Sequence, residues 1–172
     1  ILHEENKALT SLPEHFIIFK PKDIVSGDFY WTVQKKNGWY AAVADCTGHG
    51  VPGAFMSMLG IAFLNEITNQ EKMKSTEIIL DELRAKLIKE LGQSGEIGEN
   101  KDGMDITLIR YDSANKQLEF SGAHNSLIIL RNGEIIQLNA DMQPVGYQIL
   151  QHPFTKTELT PQKGDTLYLM SD

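Results

Sequence analysis

Residues 45–53 read Asp45-Cys46-Thr47-Gly48-His49-Gly50-Val51-Pro52-Gly53. The stretch leaves an alternating apolar run and enters a segment of helical periodicity through closely spaced glycines. It therefore joins a strand end to a helix start. On its N-terminal side, residues 39–44 return from Asn37-Gly38, a pair that favours hairpin turns, and residues 29–34 alternate aromatic and polar side chains as the outgoing strand. Before them, residues 15–19 are apolar and β-branched, a further strand signal. On its C-terminal side, Pro52 sits where a first helical turn tolerates proline. Phe55, Met58, Leu59, Ala62 and Phe63 then share one helical face, widened by Ile61, Leu64 and Ile67. This predicts a core helix with Phe55, Met56 and Met58 inside.

Further out, Ser75 is placed to cap a second helix with Glu77 in its first turn. Leu80, Leu83, Leu87 and Leu91 recur at helical spacing, and Gly92 is its expected stop. Residues 93–103 are rich in glycine and read as a mobile loop. Strand patterns resume at 104–111, 117–121, 126–130 and 134–138, with a tight turn at Asn132-Gly133. A loop through Pro144-Val145-Gly146 leads to two more, at 154–159 and 166–170. Strands, two helices, then strands with short turns predict an α+β fold of two facing antiparallel sheets. The helix pair covers one outer face, and a mirror pair is not in this sequence.

The 172 residues carry 16 Lys and Arg against 23 Asp and Glu, a net charge of −7. Length and ordinary globular composition predict one domain with a sizeable core. The acid excess and the lack of a basic stripe argue against nucleic acid as a partner. A single cysteine, Cys46, excludes an intrachain disulfide and a disulfide-built secreted scaffold. The longest apolar stretch, 14 residues at 51–64, falls short of the ~20 that a spanning helix needs. No signal-peptide pattern opens the chain. The expectation is a cytoplasmic domain without direct membrane contact, compatible with a membrane anchor elsewhere in a larger parent. Residues 1–12 read as the end of a linker helix, closed by Pro13. Residues 13–172 read as one domain, cut on its C-terminal side within an apolar run.

Two acids stand at strand ends. Asp28 lies nine residues before Asn37, and Asp45 seven after Gly38, so both carboxylates sit near the same end of the hairpin. Gly164-Asp165 opens a last strand that delivers Asp172. Hard divalent cations take carboxylate and water oxygens, which suits a cluster of aspartates. Asp is also common in turns, so an ordinary turn role for Asp28 and Asp45 stands beside the metal reading. Gly48, Gly50 and Gly53 leave backbone amides before a helix, an arrangement that can also face an anion.

The ordered motifs SGDFYW (26–31), ADCTGHGVPGAFMSMLG (44–60), GMDITLIRYD (103–112), SGAHNSLIILRNG (121–133), MQPVGY (142–147) and GDTLYLMSD (164–172) closely resemble the SpoIIE-like branch of the PPM family. That family comprises metal-dependent serine/threonine protein phosphatases related to protein phosphatase 2C. The resemblance spans residues 16–172. It implies a four-layer α/β/β/α antiparallel β-sandwich flanked by helices, here without the C-terminal part of the fold. It also implies two Mn²⁺ or Mg²⁺ ions at one end of the sandwich. By the resemblance Asp28 holds a metal or its water, Asp45 bridges both metals, the Cys46 carbonyl is a further ligand, and Asp172 is another. Asp102 and Asp105 are both candidates for an additional, weaker site. Cys46 itself reads as inert core.

The implied reaction is hydrolysis of phosphoserine or phosphothreonine by metal-activated water, with Asp28 and Asp45 holding the catalytic metals. His49 is a candidate general acid for the leaving oxygen, and equally a loop-shaping residue. Lys20 and Lys22 read as a solvated strand end. His124 and Asn125 read as hydrogen-bonding residues at a strand crossing, and Phe29, Tyr30, Trp31 and Trp39 as core and rim. The implied partner is a phosphorylated protein, such as an antagonist of an anti-sigma factor, and the implied setting is a larger sensor protein. The alternative is a catalytically weak phosphatase-like binding module. A nuclease is disfavoured by the charge.

Overall fold

The computed structural model describes residues 12–21, 24–96 and 101–171. The linker-helix expectation for residues 1–12, Lys22 and Asp172 thus lie almost wholly outside the described residues. Among those described, the elements run β1 (Phe29–Lys35), β2 (Gly38–Cys46), α1 (Gly50–Thr68), α2 (Thr76–Glu90), β3 (Met104–Asp112) and β4 (Gln117–Ala123). Then follow β5 (Leu127–Arg131), β6 (Glu134–Leu138), β7 (Thr157–Leu159) and β8 (Thr166–Tyr168). They form an antiparallel sheet in the order β1-β2-β3-β4-β7 and a second in the order β6-β5-β8. The fold is α+β, as the pattern predicts.

Period-two alternation assigns the two faces of the large sheet to two cores. Phe29, Trp31, Tyr40, Ala42, Ala44, Cys46, Met104, Ile106 and Leu108 pack toward the helices. Trp39, Ala41, Ile109, Tyr111, Leu118 and Phe120 face the second sheet and meet Leu127 and Ile129 there. The Arg131 guanidinium ties β8 to β5, donating to both carboxylate oxygens of Asp165 at 2.8 and 2.6 Å. Among the described residues no helix covers the outer face of the second sheet, where Ile135 and Tyr168 are exposed. The layers described are thus helices, large sheet and small sheet.

Several expectations need correction. The inner face of α1 is Gly53, Met56, Ser57, Gly60, Leu64, Ile67 and Thr68, while Phe55 and Met58 are 61% and 62% exposed. Phe55 and Met58 are not core; only Met56 of that cluster is. The reason is close approach: a Cβ on Gly60 would lie 2.8 Å from Met104 Cε and 3.1 Å from the Phe29 ring. A stripe of small residues, not the largest apolar ones, sets the helix against the sheet. At 19 residues α1 outruns the 14-residue apolar stretch and is long and apolar enough to cross a membrane by length and composition, yet it packs on β1, β2 and α2.

Residues 15–19 form no strand, and Phe16 and Ile18 are exposed. Phe19 instead meets the Tyr30 ring of edge strand β1 edge-on, with centroids 6.0 Å apart, a side-chain contact without ladder hydrogen bonds. In the first hairpin Lys35 pairs with Gly38, so its two loop residues are Lys36-Asn37, one step earlier than expected. Gly38 is instead required by contact, since a Cβ there would sit 1.9 Å from Tyr111 O. Asn132-Gly133 does form the β5–β6 turn, with φ of 52° and 84°.

The last strands are shorter than predicted, because β7 and β8 pair over three residues each. Gly92 ends α2 as expected: its N–H bonds Lys89 O at 3.2 Å while Gln93 N–H bonds Ile88 O at 3.0 Å, the Schellman pattern. Gln93 is therefore buried structure rather than part of a loose loop, while residues 97–100 lie outside the described ones.

Candidate functional site

The site residues line up across adjacent strands. Phe29 pairs with Ala44, Ala44 with Ile106, and Ile106 with Ala123. One residue further toward the same end stand Asp28, Asp45, Asp105 and His124, in that order across the sheet. Asp45 and Asp105 are direct partners in the β2–β3 ladder. Their neighbours Ala44, Cys46, Met104 and Ile106 are buried toward the helices, so alternation turns the acids to the opposite face, at the mouth between the two sheets.

The glycine loop closes this end from the helix side. A Cβ on Gly27 would sit 2.9 Å from Cys46 O, and one on Gly53 only 2.5 Å from Gly48 O. Main chain thus packs on main chain where Asp28 enters its strand, and the Asp28 N–H donates to Ser26 Oγ at 3.0 Å. Gly48 and Gly50 take φ of 87° and 63°, conformations that let the chain turn from β2 into α1. His49 is the extended N-cap residue of α1, exposed, and makes no side-chain cap bond.

Charge density at this end is visible on Cys46. Its thiol is pushed up to about 12, first by burial and then by the carboxylates of Asp45, Asp28 and Asp102. Three separate carboxylates therefore bear on one buried sulfur. Their oxygens do not close on a single point, however: among the described residues no group of three His, Cys, Asp or Glu side chains is tight enough to hold an ion.

Behind the acids runs a bracket that the sequence reading missed. Thr47 Oγ1 donates to Gly103 O at 2.9 Å and accepts from Gly103 N at 2.9 Å, holding the loop to the start of β3. Val145, in the MQPVGY motif, exchanges two backbone bonds with Met104 at 3.0 and 2.9 Å. The buried Gln93 amide donates to Asp102 O at 2.6 Å and accepts from Tyr147 N at 3.1 Å. The motifs themselves were the only sequence signal for these contacts, because each joins segments far apart in the chain. Lys20 is exposed.

No curated protein sequence matches the chain. The family profile of Stage II sporulation protein E (SpoIIE) matches residues 35–172. The chain belongs to the SpoIIE family.

Solved structures agree on the fold of this SpoIIE-family chain. The SiaA-PP2C domain of Pseudomonas aeruginosa is 32% identical with a TM-score of 0.76, over 90% of this chain and 58% of that one. The PP2C phosphatase domain of SpoIIE from Bacillus subtilis, solved with a fragment of its regulatory domain, is 21% identical with a TM-score of 0.68, over 87% of this chain and 41% of that one. RsbX in complex with magnesium is 14% identical with a TM-score of 0.63, over 87% of this chain and 68% of that one. The last two show the fold alone. The chain spans 58% and 41% of the first two structures, and its sandwich is that of the PP2C-like phosphatase domains.

Proposed function

We propose that the chain forms the core of a serine/threonine protein phosphatase domain, residues 13–172, that hydrolyses a phosphorylated partner protein with divalent cations. The observation that carries this reading is the row Asp28, Asp45 and Asp105 across three adjacent strands at one end of the sandwich. The donor set fits the group: carboxylates and the Cys46 carbonyl are hard oxygen ligands of the kind Mg²⁺ and Mn²⁺ take. Asp28 and Asp45 would hold the ions, with Asp172 as the further ligand and Asp102 or Asp105 serving a weaker site. When bound, two such ions supply Lewis acidity to the phosphoryl oxygens and activate water.

The chain's own residues do the rest. Close main-chain packing at Gly27 and Gly53 sets where the backbone of Asp28 and Asp45 stands. Cys46 offers no thiolate nucleophile of its own. A cysteine phosphatase needs a thiolate of lowered pKa, whereas this thiol is buried and pushed up to about 12. His49, exposed at the loop on the same end, can donate a proton to the leaving serine or threonine oxygen. The regulatory fragment solved with the Bacillus subtilis domain supports a setting in a larger signalling protein.

The test is phosphate release from a phosphoserine protein, with Mn²⁺, by the chain within its full-length parent. Asp45→Ala is expected to lower turnover by ~100-fold or more, since charge stabilisation by the metals is the largest contribution lost. Undiminished turnover in that variant would sink the metal mechanism.

A further inference from the structure

His124 occupies the fourth place in the acidic row. It follows Ala123, the last residue of β4, and so lies one strand beyond Asp105. Its backbone is left-handed, with φ of 55°, where a residue with a Cβ is uncommon. Both sides of that bend are pinned. The His124 N–H donates to Asp141 O at 2.9 Å, and Asp141 N–H donates to Gly122 O at 3.0 Å. Asn125 O, just after it, accepts from Thr107 Oγ1 at 3.0 Å.

What the bend delivers is one contact: His124 Nδ1 lies 2.8 Å from Asp105 Oδ1. An ionised carboxylate only accepts, so the imidazole carries a proton on Nδ1 and donates it to this bond. Asp105 is directly opposite Asp45, and same-face ladder partners hold their Cβ atoms about 4.5–5.5 Å apart. Two abreast carboxylates repel, and an unrestrained Asp105 would swing out toward solvent. His124 removes that freedom by taking one oxygen of Asp105 and leaving the other for a ligand.

We propose that His124 is a positioning residue that fixes the Asp105 carboxylate beside Asp45 and thereby sets the divalent-cation affinity of the acidic row. The inference rests on the metal reading of the site. It goes beyond a structural bond at a strand crossing because it assigns the imidazole an effect on ion binding, not on folding. Partners that orient a ligating group are commonly worth about 10–100-fold in metal affinity.

The test separates backbone from side chain. His124→Gly keeps the left-handed bend at no steric cost and removes the imidazole. His124→Asn also tolerates the bend and restores a donor. Mn²⁺ binding is measured by titration calorimetry, and the melting temperature by circular dichroism in EDTA, on the chain within its full-length parent. The expected result is a Mn²⁺ affinity about 10-fold or more weaker for His124→Gly, partly recovered in His124→Asn, with the metal-free melting temperature held. In an Asp105→Ala background, which removes the acceptor, the His124→Gly effect is expected to vanish.

Unchanged Mn²⁺ affinity in His124→Gly overturns the proposal, as does a fall in metal-free stability with affinity intact. An equal loss in the Asp105→Ala background also overturns it. Absence of Mn²⁺ binding by the unsubstituted protein would instead overturn the metal reading itself, so the two failures are distinguishable.

Discussion

Cys46 stands at the centre of the acidic end, and its surroundings decide what it does not do. Alkylation needs the thiolate, and burial together with the carboxylates of Asp45, Asp28 and Asp102 pushes the thiol up to about 12. Native protein at pH 8 is therefore expected to resist iodoacetamide and to label only after unfolding, as read by mass spectrometry. Rapid native labelling would contradict the burial. Gly53 poses a second residue-scale test, because a Cβ there would meet main chain at 2.5 Å, where no side chain can yield. Gly53→Ala is expected to cost about 1–3 kcal/mol in denaturant titration as the loop of residues 45–53 is forced to shift. The acids Asp28, Asp45 and Asp105 were legible in the sequence because each lies in or beside a strand with a clear pattern. Thr47, Gln93 and the Asp105–His124 bond were not, since each depends on a partner many residues away that no local pattern names.

At the scale of the element, α1 shows how hydrophobic periodicity can mark the wrong face. The largest side chains, Phe55 and Met58, point outward, and the stripe through Gly53, Ser57, Gly60 and Leu64 points in. Counting apolar residues rewards bulk, whereas this interface rewards smallness, because alanines and a cysteine on β2 leave room for the helix backbone to come close. The two faces predict opposite outcomes. Leu64→Ala is expected to destabilise by about 2–5 kcal/mol, as a fully buried truncation does. Phe55→Ser and Met58→Ser are expected to stay within about 0.5 kcal/mol, as exposed substitutions do. Urea melts of the three variants decide between them. The first hairpin carries a similar lesson: Asn37-Gly38 marks the turn region, but Gly38 is claimed by its contact with Tyr111 O and the loop moves one residue earlier.

Across the whole molecule, two buried acids couple stability to high pH. Tyr40 is held up to about 12, mainly by burial, with its hydroxyl donating to Lys74 O at 2.7 Å, and Cys46 is held up to about 12 as well. In the unfolded chain Tyr40 ionises near 10.0 and Cys46 near 9.0. Between those values and about 12 the unfolded state binds fewer protons, so stability is fully present below pH 9 and falls as pH rises toward 12. The melting temperature is expected to decline from pH 9 to 11, and Cys46→Ala to flatten that slope; an unchanged slope in the variant would contradict the assignment.

By itself the sequence determined the α+β class, the antiparallel strands, both helices, the family, and the acids at the end of the first hairpin. These follow from periodicity, turn chemistry and ordered motifs, all readable locally. Only the tertiary structure decided which face of α1 is buried, that residues 15–19 form no strand, and that β1 to β4 carry Asp28, Asp45, Asp105 and His124 in one row. Those outcomes depend on strand register and on how closely two backbones approach, and both are settled by contacts between residues distant in the chain.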